Sequence, residues 1–169
     1  MPRLHRTRGF TLVELTITLA LVAIVATIAV PNLTQLMRNN QLQAKAEELK
    51  SFLLLARNEA VGNRAQVELT FNATTPWEIK RPGKANAVIR TLEFNEVEAK
   101  LVAMNASNTT ITNLLYRPSG VSSAAARFTI CNNNLPETGY LITVAANGSI
   151  RLHTRGKDED NITALANCE

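Results

Sequence analysis

The chain is poor in the residues that build reactive centres. Cysteine occurs twice and histidine twice in 169 residues, and aromatic side chains make up only 5%. Of the histidines, only His153 lies beyond the basic N-terminal leader, and no Cys/His cluster has the spacing of a metal site. A glycine-rich phosphate loop, a nucleophile elbow and paired histidines are all missing. Those absences leave no catalytic constellation, no metal set and no cofactor site, and the expectation is a protein that is not an enzyme. Internal repeats and long linkers are absent as well. Charge is missing over a long stretch: from Phe10 to Val30 the only ionisable side chain is Glu14.

That uncharged stretch spans roughly 20 residues, the length an α-helix needs to cross a bilayer core. It is apolar on every face, which excludes a surface helix of a globular domain. Arg3, Arg6 and Arg8 precede it with no acidic residue between them, so the leader stays in the cytoplasm and the C-terminus crosses. A cleaved secretory signal fits poorly. No small-x-small site follows, and the run passes through Pro31 into an amphipathic stretch. Glu14 in hydrocarbon costs roughly 2.5–3.5 kcal/mol, so a partner is expected for it. One partner is an α-amine on Phe10, freed by cutting the Gly9–Phe10 bond, in the same chain or a neighbouring one. Gly9 gives a peptidase an unhindered backbone there. The other reading is a carboxylate that reaches back to the interface, being only five positions into the run.

The formal charge is +4, and three of those charges are the leader arginines. The remainder is close to neutral, and net charge gives no support for a polyanion partner. Cys131 and Cys168 both fall outside the cytoplasm in this topology, where disulfides persist. A bridge would close a loop of nearly 40 residues and contribute roughly 3–4 kcal/mol in the chain-entropy model; two free thiols are the alternative. Asp158-Glu159-Asp160 admits a calcium site or, with Lys157 adjoining, a solvated turn.

Beyond Pro31 the pattern becomes one-sided. Leu42, Ala46, Leu49, Leu53, Ala56 and Ala60 recur at three- and four-residue steps between charged positions, which predicts the second half of a long helix with one face on a domain. Pro31 and Asn39-Asn40 are points where it is expected to bend or melt, and Gly62-Asn63 supplies a stop signal. Short strands are predicted over 66–71, 77–80, 87–94, 99–104, 111–116, 127–131, 140–144 and 149–153. The last two flank Asn147-Gly148, a strong hairpin turn. Residues 105–113 and 132–136 read as loops. Helix on antiparallel sheet is an α+β layering.

Gly9-Phe10-Thr11-Leu12-Val13-Glu14-Leu15, with Pro31 closing the apolar block, resembles the class III signal of type IV pilins and type II secretion pseudopilins. The resemblance implies a prepilin peptidase that cuts after Gly9 and N-methylates Phe10. It also implies that Glu14 acts as an assembly charge, and a "lollipop" in which a long N-terminal helix carries a β-rich head. The block Leu55-Ala56-Arg57-Asn58-Glu59-Ala60 and the final Asn147-Gly148-Ser149-Ile150-Arg151-Leu152 hairpin are similar to the GspH/FimT branch, and imply long side-by-side strands with no second helix. A C-terminal disulfide suits its pilus-type, FimU-like or FimT-like, members better than secretion-type ones. Members that bind DNA for uptake carry Gly-Arg-x-Arg in the last hairpin. Here Gly148-Ser149-Ile150-Arg151 lacks one arginine, leaving Arg151, Arg155 and Lys157 as candidate DNA contacts, opposed by Asp158, Glu159 and Asp160.

The expectation is therefore a single-pass prepilin of the bacterial inner membrane with its head in the periplasm. Residues 1–9 form the leader, 10–30 the membrane and filament-core half of the helix with a kink at Pro31, 31–63 the amphipathic half and 64–169 the head. As a minor pilin it would prime a type IV pilus or sit in a tip complex with other minor pilins. A DNA-uptake receptor and a type II secretion pseudopilin are the rivals.

Overall fold

The computed structural model describes residues 9–71, 76–83, 87–93 and 99–168. The leader arginines and Phe94, the end of the third predicted strand, lie outside the described residues. The chain divides into two compact units, Met1–Asn39 and Asn40–Glu169.

Helix α1 runs from Leu12 to Gly62, 51 residues, with Pro31 inside it. The expected melting at Asn39-Asn40 does not occur. Around the proline, which lacks an N–H, polar side chains bond back within the helix. The Asn32 amide donates to the Ile28 carbonyl at 3.1 Å and the Thr34 hydroxyl to the Pro31 carbonyl at 2.8 Å. The helix does not stop at Gly62-Asn63 through glycine. Arg64 takes the left-handed turn with φ 48°. Its N–H reaches the Val61 carbonyl, and the Ala65 N–H reaches the Ala60 carbonyl at 3.2 Å. These two bonds form a Schellman ending with arginine where glycine is usual.

In the second unit the helix buries Leu42, Ala46, Leu49, Phe52, Leu53, Ala56 and Ala60, the stripe its three- and four-residue steps predict. Among the described residues eight strands follow: β1 (Val67–Thr70), β2 (Trp77–Arg81), β3 (Ala87–Leu92), β4 (Lys100–Asn105), β5 (Asn113–Tyr116), β6 (Ala126–Cys131), β7 (Tyr140–Val144) and β8 (Ile150–Leu152). They are three to six residues long, not the long strands the resemblance implies. A 3-10 turn, Pro136–Thr138, stands between β6 and β7. The strands form two four-stranded sheets, ordered β3-β2-β1-β5 and β4-β6-β7-β8, with every pairing antiparallel.

Alternation decides what each strand buries. In the second sheet Ala126, Phe128 and Ile130 of β6 join Tyr140, Ile142 and Val144 of β7 in one core with the helix stripe and the first sheet. Phe71, Trp77 and Phe128 pack ring on ring in that core, with centroids 4.4–5.9 Å apart. Cys131 of β6 and Leu141 of β7 form a separate small cluster with Leu165 and Cys168 of the C-terminal segment. That segment therefore adds its own layer on the second sheet.

Polar ties pin the helix to the strands. The Arg81 guanidinium meets the Glu59 carboxylate at 3.1 Å, and Arg57 Nε donates to the Gly120 carbonyl at 3.1 Å. Tyr116 is fully buried beside this tie, and its hydroxyl has no partner among the described residues. Burial pushes that hydroxyl well above the usual tyrosine range, and the nearby Arg57 charge opposes the shift only in part.

Candidate processing and assembly site

Gly9 and Phe10 lie outside the helix and are exposed, and a Cβ placed on Gly9 would meet nothing within 4 Å beyond its chain neighbours. The bond between them is thus open backbone just ahead of the first turn. Thr11 is the N-cap: its hydroxyl oxygen accepts the Glu14 backbone N–H at 3.2 Å. Glu14 is the acidic residue of the first turn. There the free N–H groups and the helix dipole favour a carboxylate. Its place is therefore less anomalous than solvation alone suggests. The spacing Thr11-x-x-Glu14 is that of a capping box, a signal the sequence carries inside the apolar run.

Past that turn the helix presents an apolar surface. Its most apolar window has mean hydropathy 2.4 and none of it is buried. Thr16, Thr18 and Thr27 turn their hydroxyls inward to the carbonyls of Val13, Leu15 and Ile24 at 2.7–2.9 Å, which removes the only other polar groups from the exposed surface. A surface of this kind calls for lipid or packed protein around it.

Cys131 and Cys168 are joined in a disulfide across a sequence separation of 37, so the expected bridge is present and the free-thiol alternative is excluded. The candidate DNA contacts are engaged at different places. Arg151 is exposed on β8 and lines a groove of about 650 Å³ with Arg127, Thr143, His153 and Glu159. Arg155 acts on Tyr140, whose hydroxyl burial pushes up and the Arg155 charge pulls back. The Lys157 ammonium donates to the Ile162 carbonyl at 2.8 Å and braces a turn. The acidic run does not oppose these three cations as the sequence suggested. Asp158 and Glu159 pair with Arg127 at 2.7 and 2.9 Å. Asp160 accepts the Ile162 and Thr163 N–H groups and the Thr163 hydroxyl. The Thr163 hydroxyl, then the two N–H groups, hold its carboxyl below the usual range. Arg127 was missed because no local pattern links residues 31 positions apart.

Comparison with known proteins gives two family matches. The family described as "Type II transport protein GspH" matches residues 45–148, and the "Prokaryotic N-terminal methylation motif" matches residues 4–30. No curated protein sequence matches. Among solved structures, the type IV minor pilin FimU of Pseudomonas aeruginosa is similar with a TM-score of 0.56 and 24% identity, over 77% of this chain and 96% of that one. The minor pseudopilin EpsH of the Vibrio cholerae type II secretion system is similar with a TM-score of 0.56 and 14% identity, over 72% of this chain and 99% of that one. Both likenesses are of fold: a long N-terminal helix packed on antiparallel sheets.

Proposed function

The chain belongs to the GspH family of minor pilins and pseudopilins, and from that premise we propose how it is processed and used. It is made as an inner-membrane precursor with its head in the periplasm. A prepilin peptidase cuts the Gly9–Phe10 bond and the new amine of Phe10 is methylated. The segments are residues 1–9, removed; 10–30, held in the membrane and then in a filament core; 31–63, the amphipathic half of the helix; and 64–169, the head. The protein works as an assembled part and not as a catalyst. It enters a type IV pilus as a low-abundance subunit, priming assembly or standing in a tip complex with other minor pilins.

The observation that carries this reading is the pairing of an exposed, non-helical Gly9–Phe10 bond with a carboxylate four residues on, at the head of an unburied apolar helix. The dipole of the first turn favours the Glu14 carboxylate, and a neighbouring subunit's Phe10 amine supplies the full opposite charge. Assembly then places two charges together in a low-dielectric filament, where losing one partner typically costs about 3–5 kcal/mol. Pilus-type membership is supported by the Cys131–Cys168 bridge at the C-terminus.

Intact-mass measurement of the membrane-extracted protein tests the processing. A mature chain that begins at Phe10 with one added methyl group is expected, and Gly9→Leu leaves the leader attached. A mature chain that begins at any other residue overturns the reading. For nucleic acid, Arg151 and Arg155 make no ion pair among the described residues, but Lys157 is committed to its turn. A gel-shift salt titration is expected to give only weak binding with a shallow salt dependence, because two arginines make few phosphate contacts.

A further inference from the structure

Two acceptors can complete the first turn of α1, and the chain uses the one on a side chain. The Glu14 N–H donates to the Thr11 hydroxyl oxygen at 3.2 Å. The Leu15 N–H, one residue on, reaches the Thr11 carbonyl at 3.1 Å. In a helix continued toward the leader, the Glu14 N–H would take the Phe10 carbonyl instead, four residues back. As it is, α1 begins at Leu12. Gly9 and Phe10 stay outside it, and Phe10 is 79% exposed.

The choice of acceptor sets where the helix starts. Without the hydroxyl, the helix either unwinds toward its interior or extends toward the leader. Unwinding strips the Leu15 and Thr16 N–H groups of their acceptors at the edge of the hydrocarbon, where nothing replaces them. Extension keeps those bonds and moves the orphan N–H groups out to the leader, where water satisfies them. Extension therefore wins. Gly9 is the next residue with an N-cap preference, and a helix capped there has Phe10 as its first residue. The Gly9 carbonyl, the group a peptidase must attack, would then accept the Val13 N–H. Extended peptide substrates bind by pairing their backbone groups with the protein that receives them. A backbone already wound into a helix has those groups engaged.

We propose that Thr11 is a positioning residue for leader removal. Its hydroxyl takes the Glu14 N–H, halts the helix at Leu12 and keeps the Gly9–Phe10 bond extended for the peptidase. This role rests on the processing scheme proposed above. The reaction is hydrolysis: water adds to the Gly9 carbonyl carbon, the bond to the Phe10 nitrogen breaks, and the products are a Gly9 carboxylate and a Phe10 amine. Thr11 makes and breaks no bond in it.

The rate of leader loss from the full precursor, in membranes that contain prepilin peptidase, tests this. Intact mass follows precursor and product over time in wild type, Thr11→Val, Thr11→Ser and Thr11→Asn. Valine keeps the shape of threonine and loses the acceptor, whereas asparagine changes the shape and keeps an acceptor suited to a cap. Thr11→Val is expected to lose its leader about fivefold more slowly, the change in helix register that one cap supports, while Thr11→Ser and Thr11→Asn stay within about twofold of wild type. For the precursor in bicelles, the Cα chemical shift of Phe10 should become helical in Thr11→Val alone. Thr11→Val cut as fast as wild type would overturn the proposal. So would Thr11→Asn as slow as Thr11→Val, which would mean that the peptidase reads the shape of the side chain. A Phe10 shift that valine leaves unmoved would overturn it as well. Any of these results with wild type still cut after Gly9 sinks the role of Thr11 alone; a wild-type chain cut at another bond refutes the processing scheme and this role with it.

Discussion

Gly148 packs flat against Gly120: a Cβ on Gly148 would stand 1.9 Å from the Gly120 carbonyl oxygen. The same carbonyl accepts the Arg57 Nε–H at 3.1 Å. Three distant parts of the head therefore converge on one oxygen: the helix, the loop after β5 and the turn between β7 and β8. Gly148 also has φ 79°, the left-handed region where a side chain is strained. Its place in the Asn-Gly hairpin is thus doubly fixed, by turn geometry and by the approach of another backbone.

Gly148→Ala is expected to destabilise the protein by about 3 kcal/mol or more, because strain and a backbone clash act together. Gly83→Ala is the control. Gly83 has φ 91° and nothing within 4 Å of a Cβ, so it should lose only about 1 kcal/mol. Denaturant unfolding followed by circular dichroism compares the two, and equal losses would show that the Gly120 contact is not limiting.

Arg64→Gly should stabilise the protein by about 0.5–1 kcal/mol. Arg64 holds the left-handed position of the helix ending at φ 48°, which glycine adopts without strain. Thermal unfolding of the variant is the measurement, and a lower melting temperature would contradict the assignment of strain.

Tyr116 gives the head an alkaline limit. Burial keeps its hydroxyl neutral in the folded state at pH values where it ionises in the unfolded chain. A raised folded pKa contributes stability that is complete below about pH 10 and is lost as pH climbs beyond it. Tyr140 is shifted the same way. Tyr116→Phe removes an unpaired buried hydroxyl, so it should be neutral or stabilising by about 1 kcal/mol at pH 7. Its advantage should widen above pH 10. Unfolding midpoints at pH 7 and pH 11 check both parts.

Alternation is plain in β1 and β2, where buried and half-buried positions take turns; β6 and β7 are buried almost throughout and β3 and β8 are largely uncovered, so those are legible only as short runs between turn signals. The division of the strands into two sheets was not legible. β1 pairs with β5 across three intervening strands, and β4 pairs with β6; such pairings are chosen by distant packing and leave no local mark. Gly9, Phe10 and Glu14 stood out because a lone acid in an apolar run is conspicuous. The Thr11 cap is equally legible, in its three-residue spacing from Glu14. Arg64 at a left-handed turn and Arg127 as the clamp of the acidic turn could not be read, because neither has a residue type or spacing that announces its role.

The central claim is that Glu14 serves assembly through the Phe10 amine of a neighbouring subunit. Quantifying wild type and Glu14→Ala in sheared filaments, with the membrane pool measured alongside by intact mass, tests it most directly. The account predicts that Glu14→Ala is cut after Gly9, is methylated and accumulates in the membrane, while its amount in filaments falls at least tenfold. Wild-type incorporation of a correctly processed Glu14→Ala chain would contradict it.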